Sequence, residues 1–486
     1  MNHHNYRRSN NVPLNFWVGI LGVIVGVGVG FMSGSQPLIV GLGIFATAVL
    51  VYFLASFEQA VLALLILRSS LDVFSDYQVP AAFALGIDAL TILYVILQLL
   101  TGGVVKTDKF WWFFAGWIAL QGMWVVLLPL GGLGLSSAVL LDSIREWIRL
   151  FSWLMVYLLV MQLKDAIPPQ KVIQALFWAL VLPITLAIAQ IIIPGALPAI
   201  FSPLSGDTLT LEAASRIRGT LGHPNTFTTL LLFFIGLTWW QFGQAKKRLP
   251  WLLLLGLLAF FYVSTKALFG LMMLGVLVIV LIAPRLTLGN LIGGLLFFAV
   301  VITLFASSEF GQERLNSLFN TPLLNPDIDI SRAILLSESD YNSFNWRLAQ
   351  WTYLIKQWQQ FPMLGFGLGL STYVSDNGLY PHNDYIRALV EGGIVGFGLF
   401  LSFFGVQIGY LWYLISNSSP RGGQRSLCLV LLAILLAIPV GMITENIWSH
   451  TTLFFYWWTL LAIAGWDWEE TLEEKNVQIK HFDLTT

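Results

Sequence analysis

Residues 249–307 read LPWLLLLGLLAFFYVSTKALFGLMMLGVLVIVLIAPRLTLGNLIGGLLFFAVVITLFAS, and they decide the fold class. Three apolar runs, 249–264, 267–284 and 288–307, follow one another, and the only charges in the stretch are Lys266 and Arg285. A helix needs roughly 20 apolar residues to cross bilayer hydrocarbon, with a working range of about 17 to 25. Each run is therefore read as one crossing, and the polar residues between them as turns at the membrane surface.

Outward from this stretch the pattern repeats. Further candidate spans fall at 16–32, 37–55, 57–70, 79–100, 109–129, 143–163, 171–193, 224–243, 385–413, 426–443 and 449–466, which makes about fourteen crossings. The 486-residue chain is 57% hydrophobic, 14% aromatic and 10% charged, with mean hydropathy +0.76, against about 25% charge in an ordinary soluble domain. The expected fold is all-α: a polytopic transmembrane bundle of about 12 to 14 spans, one integral membrane domain over 1–486. A net charge of -1 gives no basic field for nucleic acid. The lone Cys428 excludes an intrachain disulfide and a thiolate metal cage. Arg7 and Arg8 precede the run 16–32 without a small-residue cleavage site, so that run is expected to stay as a first helix.

Charge asymmetry orients the spans, because short cytoplasmic loops are enriched in Lys and Arg. Segment 57–70 is the shortest candidate. If it crosses, Arg7, Arg8, Lys106, Lys109, Lys246 and Lys247 share one face, with Lys266 as the exception. Both termini are then cytoplasmic, including the polar tail 467–486, and segments 194–222 and 308–384 lie on the outer face. The second contains 344–361, where Trp346, Leu348, Trp351, Leu354, Ile355 and Trp358 recur at helical spacing. This is read as an amphipathic helix on the membrane or over the bundle. The glycines at 365, 367 and 369 then turn the chain toward His382. No repeat of about 20 to 50 residues is found.

Charged groups within or beside spans need partners. Asp88, the group Arg145, Glu146 and Arg149, and the pair Arg68 and Asp72 are read as ion pairs that orient helices or as side chains snorkelling to the outer interface, and Asp88 with the Arg145 group is also open to lining a solute or ion pathway. Segment 215–225 places Arg216, Arg218, Gly219-Thr220, His223 and Pro224-Asn225 just before a span. Unpaired amides at a helix start favour an anion, so this is a candidate phosphate site; the other reading is arginines meeting lipid headgroups. Arg347 lies among tryptophans, where snorkelling or a cation–aromatic contact is the alternative role. His382-Asn383 follows Pro381 immediately before a span, on the same expected face as the arginines.

At these residues the sequence resembles the O-antigen ligase and polymerase superfamily. Three motifs carry the resemblance: Arg216, Gly219-Thr220 and Pro224-Asn225 at the start of a span; Arg347 followed by the turn Pro362-Met363-Leu364-Gly365-Phe366-Gly367; and His382-Asn383 followed by Gly393 and Gly396. The resemblance implies a GT-C-like membrane enzyme of the bacterial cytoplasmic membrane. It would move a glycan from undecaprenyl diphosphate on the periplasmic face by inverting, metal-independent transfer, without a cofactor. It also implies His382, Arg216 and Arg347 as catalytic residues, His382 as general base or donor-binding group and the arginines on the departing diphosphate. Arg218, His223, Asn225 and Asn383 are expected to bind substrate. The acceptor is a glycan on its own prenyl carrier for a polymerase, or a glycolipid such as lipid A-core for a ligase, with membrane lipids as surroundings. The helix around Arg347 is expected to act as a lid over the prenyl chain. Two readings from other classes stay open: a solute or ion transporter, and a non-catalytic scaffold for envelope assembly.

Overall fold

The computed structural model describes residues 37–128, 133–134, 136–203, 216–283, 287–308, 311–312, 325, 327–328, 332, 336, 343–420 and 422–468. The expected span 16–32 and most of the outer segment 308–342 and of the tail lie outside the described residues. Among the described residues all regular structure is helical. Helix α1 (Pro37–Ala55) belongs to a first compact unit ending at Ala60, and α2 (Phe57–Leu67) leads into a second unit that begins at Val61. The second unit continues with α3 (Val79–Leu100), α4 (Lys109–Val126), α5 (Ser137–Met161), α6 (Pro169–Ala179), α7 (Val181–Ile192), α8 (Pro224–Gln244), α9 (Leu249–Ser264), α10 (Leu268–Ile282), α11 (Leu288–Ala306), α12 (Ser343–Trp358), α13 (Asp384–Asn417), α14 (Gly423–Gly441) and α15 (Thr451–Ala464).

Among the described residues, six helical stretches are long and apolar enough to cross a membrane: Val79–Leu100, Pro169–Ile192 (α6 and α7 together), Pro224–Gln244, Leu288–Ala306, Asp384–Asn417 and Gly423–Gly441. Gly43–Ala55, Leu249–Ser264, Leu268–Ile282 and Thr451–Ala464 are apolar but shorter. The described residues are thus all-helical, with the apolar helices of a multi-pass membrane protein. The span expected at 171–193 is two helices meeting at Leu180. Pro183 explains the break, since a proline has no N–H to give and its ring crowds the carbonyl four residues earlier, that of Ala179. Helix α5 starts at Ser137, before the expected 143, because the hydroxyl of Ser136 accepts from the amide of Val139 at 3.3 Å. Asp142, Arg145, Glu146 and Arg149 therefore ride within the helix.

Helices α8, α14 and α15 form the interior together with α5; Trp457 and Trp458 of α15 have no exposed surface. Around the break in α13 the backbone does something no continuous helix can. Gly393 adopts φ +62° and ψ −164°, a conformation open essentially to glycine alone. The break frees two amides and two carbonyls, and the turn 362–367 meets all four. Phe366 and Gly367 donate to the carbonyls of Val390 and Glu391, each at 2.9 Å. Ile394 and Val395 donate to those of Pro362 and Met363 at 2.9 and 3.2 Å. Such an interruption at membrane depth is tolerated when protein satisfies the freed groups. Gly365, Gly367 and Gly369 all carry positive φ, which lets the turn approach so closely. The turn also docks α12: fully buried Leu354 packs against Phe366, Val374 and Val390.

Candidate active site

One end of the bundle gathers the starts of α8, α13 and α15 with the ends of α9 and α14. The loop before α8 is pinned from below. Gln190 at the end of α7 accepts from the amides of Arg218 and Gly219 at 3.0 and 2.9 Å, and the hydroxyl of Thr220 donates to the carbonyl of Ser69 at 2.6 Å. Gly219 has φ +54°, and a Cβ there would stand 2.7 Å from the carbonyl oxygen of Pro183. So held, the loop sends Arg216 over the end of α9, where its Nε donates to the carbonyl of Thr265 at 2.9 Å. Its Nη2 donates to Oδ1 of Asn225 at 2.6 Å. His223 accepts the amide of Asn225 on Nδ1 at 3.1 Å and so caps α8.

The second arm is the segment before α13. Asn383 caps that helix, its Oδ1 accepting from the amides of Tyr385 and Ile386 at 3.0 Å each. His382, just before the cap, has φ +48°, an uncommon conformation for a residue with a Cβ and one met more often at functional sites. Helix α12 braces this segment. The indole of Trp351 donates to the carbonyl of Pro381, and Nε2 of Gln350 donates to Ser375, Asn377 and the carbonyl of Leu379 at 2.8 to 2.9 Å.

Both arms end on one carboxylate, in the short connection between α14 and α15. Oε1 of Glu445 lies 3.1 Å from Nδ1 of His382, and its Oε2 accepts from Nδ2 of Asn225. The amide of Asn446 donates to Oε1 at 3.1 Å. Arg347 on α12 reaches the same connection, its Nη1 donating to the carbonyl of Thr444 at 3.0 Å. Glu445 is 4% exposed. Burial alone would raise its pKa, but the hydrogen bond from His382, with the Arg347 guanidinium beyond, holds it well below the usual carboxylate range.

The structure therefore brings together His382, Arg216, Asn225 and Arg347, which lie far apart in the chain. His223 and Asn383 stand beside them as helix caps. Arg218 is turned to its own loop, where its guanidinium donates to the carbonyls of Ser202, Gly222 and Ile200 at 3.0, 3.2 and 3.2 Å. Glu445 was not reached by sequence reasoning. It sits between two apolar runs with no motif around it, and the signal that would have found it is a lone carboxylate in a connection otherwise bare of acids. Gln190, a single amide on an apolar helix, was missed for the same reason.

A second buried charge group lies deeper along α13. Arg387 donates to Glu391 at 3.0 Å, to Glu146 at 2.7 Å and to Ser449 at 2.7 Å, and its guanidinium stands 4.1 Å above the ring of Tyr380. Arg149 donates to the other oxygen of Glu146 at 2.9 Å. Arg387 and Glu391 of this group line a cavity of about 40 Å³ with Asp384, Trp117 and Trp124. At roughly 10–15 Å³ per water it has room for a few waters and none for a sugar.

No curated protein matches the chain. Residues 225–401, which carry Asn225, Arg347, His382 and the broken helix, match the family model described as O-antigen ligase.

Proposed function

We propose that the protein is a glycosyltransferase moving a glycan from undecaprenyl diphosphate to an acceptor hydroxyl at the extracytoplasmic face of a bacterial cytoplasmic membrane. The acceptor is a glycan or a glycolipid. Nε2 of His382 takes the proton of the attacking hydroxyl as general base. The new bond to the anomeric carbon forms as its bond to the diphosphate oxygen breaks, with inversion, and the electron pair leaves on the diphosphate. Arg216 and Arg347 face that oxygen. Charge grows there as the bond breaks, so fixed guanidinium groups stabilise the transition state more than the bound donor. Asn225 orients Arg216, and the prenyl chain stays among the helices with α12 over it. Arg218, His223 and Asn383 shape the loops against which the donor rests. No metal enters this scheme.

The observation that carries the reading is the convergence of His382, Arg347 and, through Asn225, Arg216 on the Thr444-Glu445 connection from three separate parts of the chain. A scaffold has no need to tie a histidine and two arginines to one connection in a partly open site.

The test is transfer in vitro from a prenyl-diphosphate glycan by wild type, His382→Ala and Arg347→Ala at equal expression, with and without chelator, each acceptor being supplied in turn. Transfer is expected to fall on the order of 10²–10⁴-fold in His382→Ala and on the order of 10²–10³-fold in Arg347→Ala, with no response to chelator. Undiminished transfer by His382→Ala would remove the base from the scheme, and loss on chelation would remove its metal independence.

A further inference from the structure

We infer that Glu445 is a positioning residue for this transfer: it fixes the tautomer of the His382 imidazole and, through Asn225, the Arg216 guanidinium, so that base and diphosphate clamp share one anchor. The inference rests on the reading of His382 as general base. It concerns a residue beyond the matched segment 225–401, supplied by the connection between α14 and α15.

The geometry suits that task. With Nδ1–H donated to Oε1 of Glu445, the basic lone pair of the neutral ring is on Nε2. The second oxygen takes Nδ2 of Asn225, whose Oδ1 takes Nη2 of Arg216, so the amide cannot flip without losing both bonds. The ring's proton and the guanidinium's placement are thus read off the same carboxylate.

The carboxylate is itself held firmly. Its connection is tied to the start of α13 at both ends: the amide of Asp384 donates to the carbonyl of Met442 at 3.0 Å, and the amide of Trp448 donates to Oδ2 of Asp384 at 2.8 Å. Arg347 fastens the middle at Thr444. A carboxylate so placed also gains energy when the imidazole becomes cationic on taking the acceptor's proton. An ion pair serving the fold alone would need neither an oriented ring nor a histidine at φ +48°.

The experiment is a double-mutant cycle in the full-length protein, with His382→Ala, Glu445→Gln and both together, assayed by prenyl-diphosphate glycan transfer. Glutamine keeps the size and an accepting oxygen but loses the charge. In Glu445→Gln, kcat is expected to fall on the order of 10²-fold or more with KM within about twofold. In the His382→Ala background the same change should cost less than about tenfold, because the ring is gone and only the Asn225–Arg216 arm is left to position. Equal losses in both backgrounds, or transfer by Glu445→Gln at the wild-type rate, would overturn the inference. Wild-type transfer by His382→Ala would instead overturn the base reading, and this inference with it. Should Glu445→Gln not accumulate, Glu445→Asp, which shortens the reach by one methylene, replaces it in the same cycle under the same criteria.

Discussion

Helix α13 carries two groups of charge that differ in nearly everything except neighbourhood. At its start, His382 and the arginines of other elements meet on Glu445 in a partly open setting, where the His382 side chain is 25% exposed. Farther along, Arg387 is sealed between Glu146 and Glu391 and is 2% exposed. The first group leaves an imidazole and two guanidinium groups partly exposed. In the second, carboxylates and guanidinium groups are spent on one another. Two such groups on one helix separate chemistry from architecture: an ion pair closed on all sides orients helices, and one left partly open can exchange its internal partner for a substrate.

That contrast gives the largest expected effect. Arg387→Met leaves Glu146 and Glu391 short of their partner inside the bundle, at a cost of about 3–5 kcal/mol, enough to consume much of the stability of an ordinary domain. The protein is expected to fail to accumulate as a monodisperse species in detergent. Arg347→Lys should leave the melting temperature within about 2 °C while transfer falls about 10- to 100-fold, because a point charge does not replace a planar fork. Equal melting curves for these two variants would erase the distinction between the groups.

A smaller effect belongs to the break that separates the two arms of α13. A Cβ at Gly393 would stand 2.3 Å from the carbonyl carbon and oxygen of Met363, at a backbone conformation that side chains disfavour. Gly393→Ala is expected to cost about 1–3 kcal/mol in strain alone and to loosen the turn 362–367. Gly398→Ala, in the same helix with nothing within 4 Å of its Cβ, should be neutral or stabilising by about 0.5–1 kcal/mol. Thermal melting of both variants decides it; equal shifts would mean that the break bears no strain.

The frame was legible because hydrocarbon imposes length and apolarity on each span. Expected and observed limits agree closely at Leu249–Ser264 and Val79–Leu100. The limits slipped where capping or proline chemistry intervened, as at Ser136 and Pro183. Arg216, Asn225, Arg347 and His382 were legible because polar residues next to a span demand a reason. Glu445 was not, because its meaning arises only when the packing of α14 on α8 and α13 brings one connection against two helix starts. Spacing placed Arg218 on the same loop as Arg216, and the carbonyls of Ser202 and Ile200 that take up Arg218 are visible only in the fold.

The smallest effect tests the floor of the candidate site. His450 caps the connection from below, its Nδ1 2.9 Å from the hydroxyl of Thr229. It is 6% exposed, and burial, opposed by the nearby charges of Glu445 and Asp72, pushes its pKa from 6.5 down to about 4. A histidine with a lowered native pKa takes its proton first in the unfolded chain. Its contribution is therefore whole above the unfolded value of 6.5 and is lost as the pH falls from there toward 4. At pH 6 the loss is on the order of 1 kcal/mol. Glu445, with its pKa held low, keeps its contribution above the ordinary carboxylate value and adds nothing to the slope in this window. Between pH 7.5 and pH 6 the melting temperature of His450→Gln, which cannot be protonated there, is expected to rise by a few degrees relative to that of the wild type. An unchanged slope in the variant would mean that the ring is already charged in the folded protein, and that the site rests on an ion pair between His450 and Glu445 in place of a neutral imidazole.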